Sequence, residues 1–108
     1  MTRKKAFEEA KRITQQLVAG YRPQKVILFG SAVRSDGPEP NDLDFLIVKQ
    51  NVPENGLERI RDVDRLIQSG VAVDFFVMKP TELEQRINLR DPFITKSILE
   101  RGIVMYGG

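Results

Sequence analysis

Between Val26 and Val48 the chain reads VILFGSAVRSDGPEPNDLDFLIV. Two short apolar runs flank a loop rich in Gly, Pro and Asp. Each run is too short for a helix of ordinary length and is bounded by turn formers, so both read as strands. The first ends on Gly30-Ser31, and the second opens with Asp42-Leu43-Asp44. Side chains alternate faces along a strand, so Asp42 and Asp44 point the same way. Adjacent carboxylates repel unless a proton or a cation lies between them. Oxygen-only donors suit Mg²⁺ or Mn²⁺. The stretch therefore points to a divalent-metal site facing a Gly-Ser turn.

Composition narrows the chemistry. The 108 residues are 41% hydrophobic and 30% charged, as in a soluble globular protein with one core, so residues 1–108 are read as a single domain. No apolar run is long enough to cross a bilayer. The N-terminal MTRKKAFEEAKRI is charged and helix-like, so no signal peptide is expected. The chain has no Cys, which excludes disulfides and thiolate metal sites and fits a cytoplasmic protein. It has no His, which excludes Ser-His-Asp and Cys-His catalysis, the usual zinc sites and a histidine-based ribonuclease. Acid–base or metal chemistry must rest on carboxylates. Net charge is only +2, so no large nucleic-acid footprint is expected.

The remaining elements follow from periodicity and punctuation. Residues 3–19 form an amphipathic helix, with Phe7, Ala10, Ile13 (or Thr14) and Leu17 on its apolar stripe, ended by Gly20 and Pro23. Residues 26–29 are a buried strand, 31–34 start a brief helix and 35–41 are a loop. Residues 43–48 are apolar on both faces and belong in the middle of a sheet. A turn at 51–56 leads to a helix over 57–68, with Leu57, Ile60, Val63 (or Asp64) and Ile67 on one side, and then to a strand over 71–78. Thr81-Glu-Leu-Glu84 is a capping-box pattern opening a helix to Ile87. Asp91-Pro92 starts another helix, which ends near Glu100, and residues 103–106 add a short edge strand. The order α-β-(α)-β-α-β-α-α-β predicts an α/β (α+β) fold: a small mixed sheet flanked by helices on one or both faces.

Asp74 is a third notable carboxylate. It lies in Val71-Ala-Val-Asp-Phe-Phe-Val-Met78, the most apolar stretch of the chain. A charged, unpaired carboxylate in a core strand is costly, so a proton, an arginine or a metal must compensate it. Taken singly, each aspartate also reads as a solvated or capped sheet-end residue. All three together are harder to explain that way. Gly30-Ser31 sits where a strand meets a helix start, a junction that offers free N–H groups to phosphate, although a plain turn has the same sequence. It is neither a P-loop nor a dinucleotide fingerprint. Arg34 lies one helical step beyond Ser31, within reach of a phosphate or of Asp36 or Glu39. Lys4, Lys5, Arg59 and Arg61 read as solvated helix faces, and Phe29, Phe45, Phe75 and Phe76 as core.

Strand, Gly-Ser, loop, Asp-x-Asp, strand, and a lone Asp in a later strand: this pattern resembles the nucleotidyltransferase superfamily related to DNA polymerase β. The leading helix, the small size and the ending Ile-Leu-Glu-Arg-Gly-Ile-Val-Met-Tyr resemble its minimal nucleotidyltransferases, and the resemblance covers nearly the whole chain. It implies a nucleotide-phosphate loop at Gly30 and Ser31 and a basic loop position at Arg34. It implies metal-holding carboxylates at Asp42 and Asp44. Asp74 would be the third carboxylate, on the catalytic metal, helping to activate the attacking hydroxyl. Three positions depart from the pattern: Ala32 where Arg or Lys is frequent, Ser35 where Gly is usual, and Asn41 where Ser is frequent.

The resemblance implies a Mg²⁺-dependent enzyme that moves a nucleoside monophosphate, AMP, from an NTP, ATP, to an acceptor hydroxyl and releases pyrophosphate. The chain is short, so the acceptor site is expected from a second copy or a partner. In the family, small members pair with a helical HEPN-type protein and act as its antitoxin, in some cases by adenylylating it. Lacking histidine, this chain is not the HEPN half. The competing reading is a catalytically weak, antitoxin-like subunit that neutralises a partner by contact. The apolar segment 92–106 is the expected interface.

Overall fold

A computed structural model of the protein describes residues 1–108. Helix α1 spans Arg3–Gly20, and Thr2 caps it by accepting from the Lys5 N–H. Strand β1 (Lys25–Phe29) ends in a single 3₁₀ turn, Gly30–Val33. Strand β2 (Asp42–Val48), helix α2 (Gly56–Asp64) and strand β3 (Ala72–Met78) form a βαβ unit. Helix α3 (Pro80–Asn88), a π-helix (Phe93–Glu100) and strand β4 (Ile103–Tyr106) complete the chain. The predicted order of elements holds throughout.

The four strands lie in the order β3-β2-β1-β4. β1 pairs antiparallel with both β2 and β4, whereas β2 and β3 are parallel, as a helical crossover requires. The sheet is therefore mixed, with β1 and β2 central, and both of its faces are covered. On one face α1 packs Ala6, Ala10, Ile13 and Leu17 against alternate residues of β1 and β2, such as Leu28 and Phe45. On the other, Ile94 and Ile98 of the π-helix pack on Ile27, Phe29, Leu46 and Val48. Asp42 and Asp44 share that second face with Leu46, because they are an even number of residues apart.

Several local expectations change. Phe7 is exposed and Ala6 takes its place on the buried stripe of α1. Helix α2 ends at Asp64 rather than at 68, because α1 captures the next segment. The Gln16 side chain donates to the Gln68 carbonyl at 2.9 Å and accepts from its N–H at 2.7 Å, diverting both groups from helix bonding. Helix α3 begins two residues earlier than the Thr81 pattern suggested. Lys79 is its N-cap, Pro80 follows, and Glu82 reaches back to accept from the Lys79 N–H at 2.8 Å. Asp91 caps the next helix as expected, accepting from the Phe93 N–H at 3.0 Å, but its bonds then close over five residues.

Arg59 is the largest departure. It is not on a solvated face: it is 5% exposed. Its guanidinium donates to Glu82 in a bidentate pair at 2.6 and 3.1 Å and to the Val77 carbonyl at 3.1 Å, and it also bonds the Pro53 carbonyl. A buried guanidinium is tolerable only when its donors are satisfied. This one ties α2 to β3 and α3. Glu82 is held below the usual carboxylate range by that guanidinium. We predict that Arg59→Met lowers folding stability by about 2–3 kcal/mol in urea titration, because Glu82 and the Val77 carbonyl lose their partner.

Candidate active site

Parallel pairing sets Asp44 directly beside Asp74, with Asp42 beside Ala72. Residues 42, 44 and 74 therefore lie on one sheet face at the ends of two neighbouring strands. One oxygen from each carboxylate lies within 4.8 Å of the others. That is close to the roughly 4 Å separating oxygens across a single Mg²⁺ ion. The donor set is all hard oxygen, with no imidazole or thiolate nearby, and can hold a divalent cation. Asp74 itself is exposed, because β3 is an edge strand and not the core strand its sequence suggested. Its neighbour Phe76 is likewise 36% exposed instead of core. Asp74 is thus open to solvent, and the carboxylate that burial penalises is Asp44.

Burial pushes the Asp44 carboxyl up, and the charges on Asp42 and Asp74 push it further, to about 6. Gly30 presses on the same group. A Cβ at residue 30 would lie 2.4 Å from the Asp44 Oδ2, and its φ of +81° is one that only glycine adopts freely. The predicted Gly-Ser junction is present, but as one 3₁₀ turn, whose dipole is small. Positive charge near it comes instead from side chains. Gly30, Ser31, Arg34 and Asp44 line one cleft of about 430 Å³. Asp42 and Asp74 stand beside it, not in its lining.

Sequence reasoning missed three contributors. Ser97 and Arg101 line the cleft from the π-helix side. Arg101 belongs to the Ile-Leu-Glu-Arg-Gly ending and was the only one with any signal. Arg3 was unseen. Its guanidinium donates to the carbonyls of Arg34, Asp36, Gly37 and Pro38 at 2.7–3.2 Å, clamping the loop that leads from the turn to Asp42.

A model of the nucleotidyltransferase domain family matches residues 7–105. The chain belongs to that family. The matched span takes in the Gly-Ser turn, both β2 aspartates and Asp74, and the resemblance to nucleotidyltransferases related to DNA polymerase β stands. The fold of this nucleotidyltransferase domain is also that of a crystal structure described as a "putative nucleotidyltransferase" from Sulfolobus solfataricus, with a TM-score of 0.65. The two are 22% identical, and the alignment covers 94% of this chain and 80% of the other. No curated protein matches the sequence. The family's general chemistry is nucleotidyl transfer, and its members typically use divalent metals. No helix is long and apolar enough to cross a membrane.

Two tests address the packing of this candidate site. Asp44 keeps its proton to about pH 6 when folded, whereas its ordinary value is 3.8. The folded state then binds more protons in that window, so stability falls as pH rises through it. With EDTA present, we predict that wild type loses stability between pH 4 and pH 6 more steeply than Asp44→Asn in parallel denaturant titrations. Gly30→Ala should destabilise the fold by about 1–3 kcal/mol, through its positive φ and the displaced Asp44 carboxylate. An unchanged denaturation midpoint would show that the turn relaxes freely.

Proposed function

We propose that this domain transfers a nucleoside monophosphate, AMP, from ATP to an acceptor hydroxyl and releases pyrophosphate. One observation carries the reading: three carboxylates converge at the edge of the cleft formed by Gly30, Ser31 and Arg34. The two ends of that site have opposite charge. A metal–nucleotide complex, cationic at one end and polyanionic at the other, is complementary to both.

In this reading Asp42, Asp44 and Asp74 hold Mg²⁺ or Mn²⁺, which supplies charge neutralisation for in-line displacement at phosphorus. Gly30 lets the backbone approach the phosphates, the Ser31 hydroxyl donates to one of them, and Arg34 offers its guanidinium. Arg3 fixes the loop from which Arg34 projects. Asp74 is the most exposed of the three acids and faces an arriving acceptor, whose hydroxyl proton it receives. The acceptor oxygen bonds to the α-phosphorus, and the bond from that phosphorus to the β-phosphate oxygen breaks.

The acceptor, on this proposal, lies on a second protein: a HEPN-type helical partner for which the chain acts as antitoxin, or a second copy. Exposed apolar residues support such a surface, with Leu99, Ile103, Val104 and Tyr106 near the C-terminus and Leu89 77% exposed. Mg²⁺ or Mn²⁺ should raise the melting temperature of wild type and leave that of Asp44→Asn unmoved. Transfer of label from α-³²P-ATP should fall about 100-fold or more in Asp42→Asn and Asp74→Asn. Metal-independent melting together with unchanged labelling would sink the catalytic reading and leave a binding subunit.

A further inference from the structure

The wall of the cleft opposite the Gly30–Arg34 turn is polar too. Phe93, Ser97 and Arg101 recur every four residues along the π-helix and its C-cap, and all three line the same cavity. The helix that carries them is anchored to the sheet. Ile94 and Ile98, on the adjoining side of this helix, are fully buried against the sheet. The Arg101 N–H donates to the Lys96 carbonyl at 3.1 Å, and Gly102 then turns the chain into β4 where a Cβ would lie 2.2 Å from the Ile98 carbonyl. π-Helical segments of this kind recur at functional sites.

Charge is the informative part. Six of the chain's ten arginines enter no ion pair, and of those six only Arg34 and Arg101 line this cleft. Two arginines thus line one cleft whose only acidic lining residue is Asp44. Ala32, beside Ser31, supplies no charge. A bare cation would satisfy Asp44 and leave both guanidiniums opposed. A single phosphate near the turn occupies Arg34 and leaves Arg101, on the far wall, without a partner. A chain of phosphates that spans the cleft matches both walls, and a guanidinium fork binds phosphate oxygens bidentately.

We propose that Arg101, with the Ser97 hydroxyl, binds the β- and γ-phosphates of the nucleotide from the π-helix wall, so that the cleft selects triphosphates over monophosphates. The inference rests on the nucleotidyl-transfer reading above. It assigns to the last turn of the π-helix a role in ligand selection.

Equilibrium binding tests it. A non-hydrolysable ATP analogue and AMP, each with Mg²⁺, are titrated calorimetrically into wild type, Arg101→Ala, Arg101→Gln and Arg101→Lys, with Arg61→Ala on the exposed face of α2 as control. Arg101→Ala and Arg101→Gln should weaken the triphosphate about tenfold or more and AMP less than about twofold. Arg101→Lys should recover part of the loss, and Arg61→Ala should change neither. Arg101 is exposed, so melting temperatures should stay at the wild-type value. Equal weakening of both ligands, or of neither, would overturn this role for Arg101 while leaving the nucleotide site in place. Failure of wild type to bind the triphosphate at all would overturn the nucleotidyl-transfer reading and this proposal with it.

Discussion

Everything at the candidate site depends on the parallel, in-register pairing of β2 with β3. A slip of one residue would send Asp74 to the α1 face and leave Asp42 and Asp44 alone. The register is held by burial on both sides. Leu43, Phe45 and Ile47 are locked under α1, and Leu46 and Val48 under the π-helix. The crossover helix α2 is anchored in turn by Arg59, which reaches the Val77 carbonyl and Glu82. A buried ion pair far from the acids thereby helps to keep them together.

The site is built against local stability. Asp44 is half-buried, flanked by two like charges and set where any side chain at residue 30 would collide with it. The burial and the like charges are unfavourable for an ionised carboxylate without a cation. A fold that retains such a group concentrates its stability elsewhere, in the two apolar layers and the Arg59 network. Groups set at odds with their surroundings in this way are frequent where a charged ligand completes the site.

Around the acids the domain is thin. The cleft has a turn on one side and a helix on the other, and nothing further encloses a second substrate. Apolar side chains stay exposed at Leu89, Phe93 and along β4, the surface to which the proposed function assigns a partner. Membership of the nucleotidyltransferase family points to nucleotidyl transfer in general, and the proposed function assigns the acceptor to whatever meets this surface.

The aspartate pair, the Gly-Ser turn, the element order and the mixed α/β fold were legible because they depend on local pattern. Period-two alternation places Asp42 beside Asp44 on any strand, and Gly and Pro mark loops wherever they occur. Their spacing also carried the family resemblance. Four features were not legible: that β3 is an edge strand with Asp74 exposed, that Arg59 is buried, that Arg3 clamps the loop, and that Ser97 and Arg101 face the turn. Each depends on contacts between residues roughly 20 to 70 positions apart in the sequence. Apolar composition alone does not separate an edge strand from a central one, because both are apolar where they touch the core. Charge alone does not separate a buried arginine from a solvated one, because the partner that satisfies it comes from another element. Local chemistry in the sequence determined which residues can hold a metal and a phosphate. Tertiary packing decided which of them meet, since side chains from separate strands and helices converge only when long-range burial fixes the register between them.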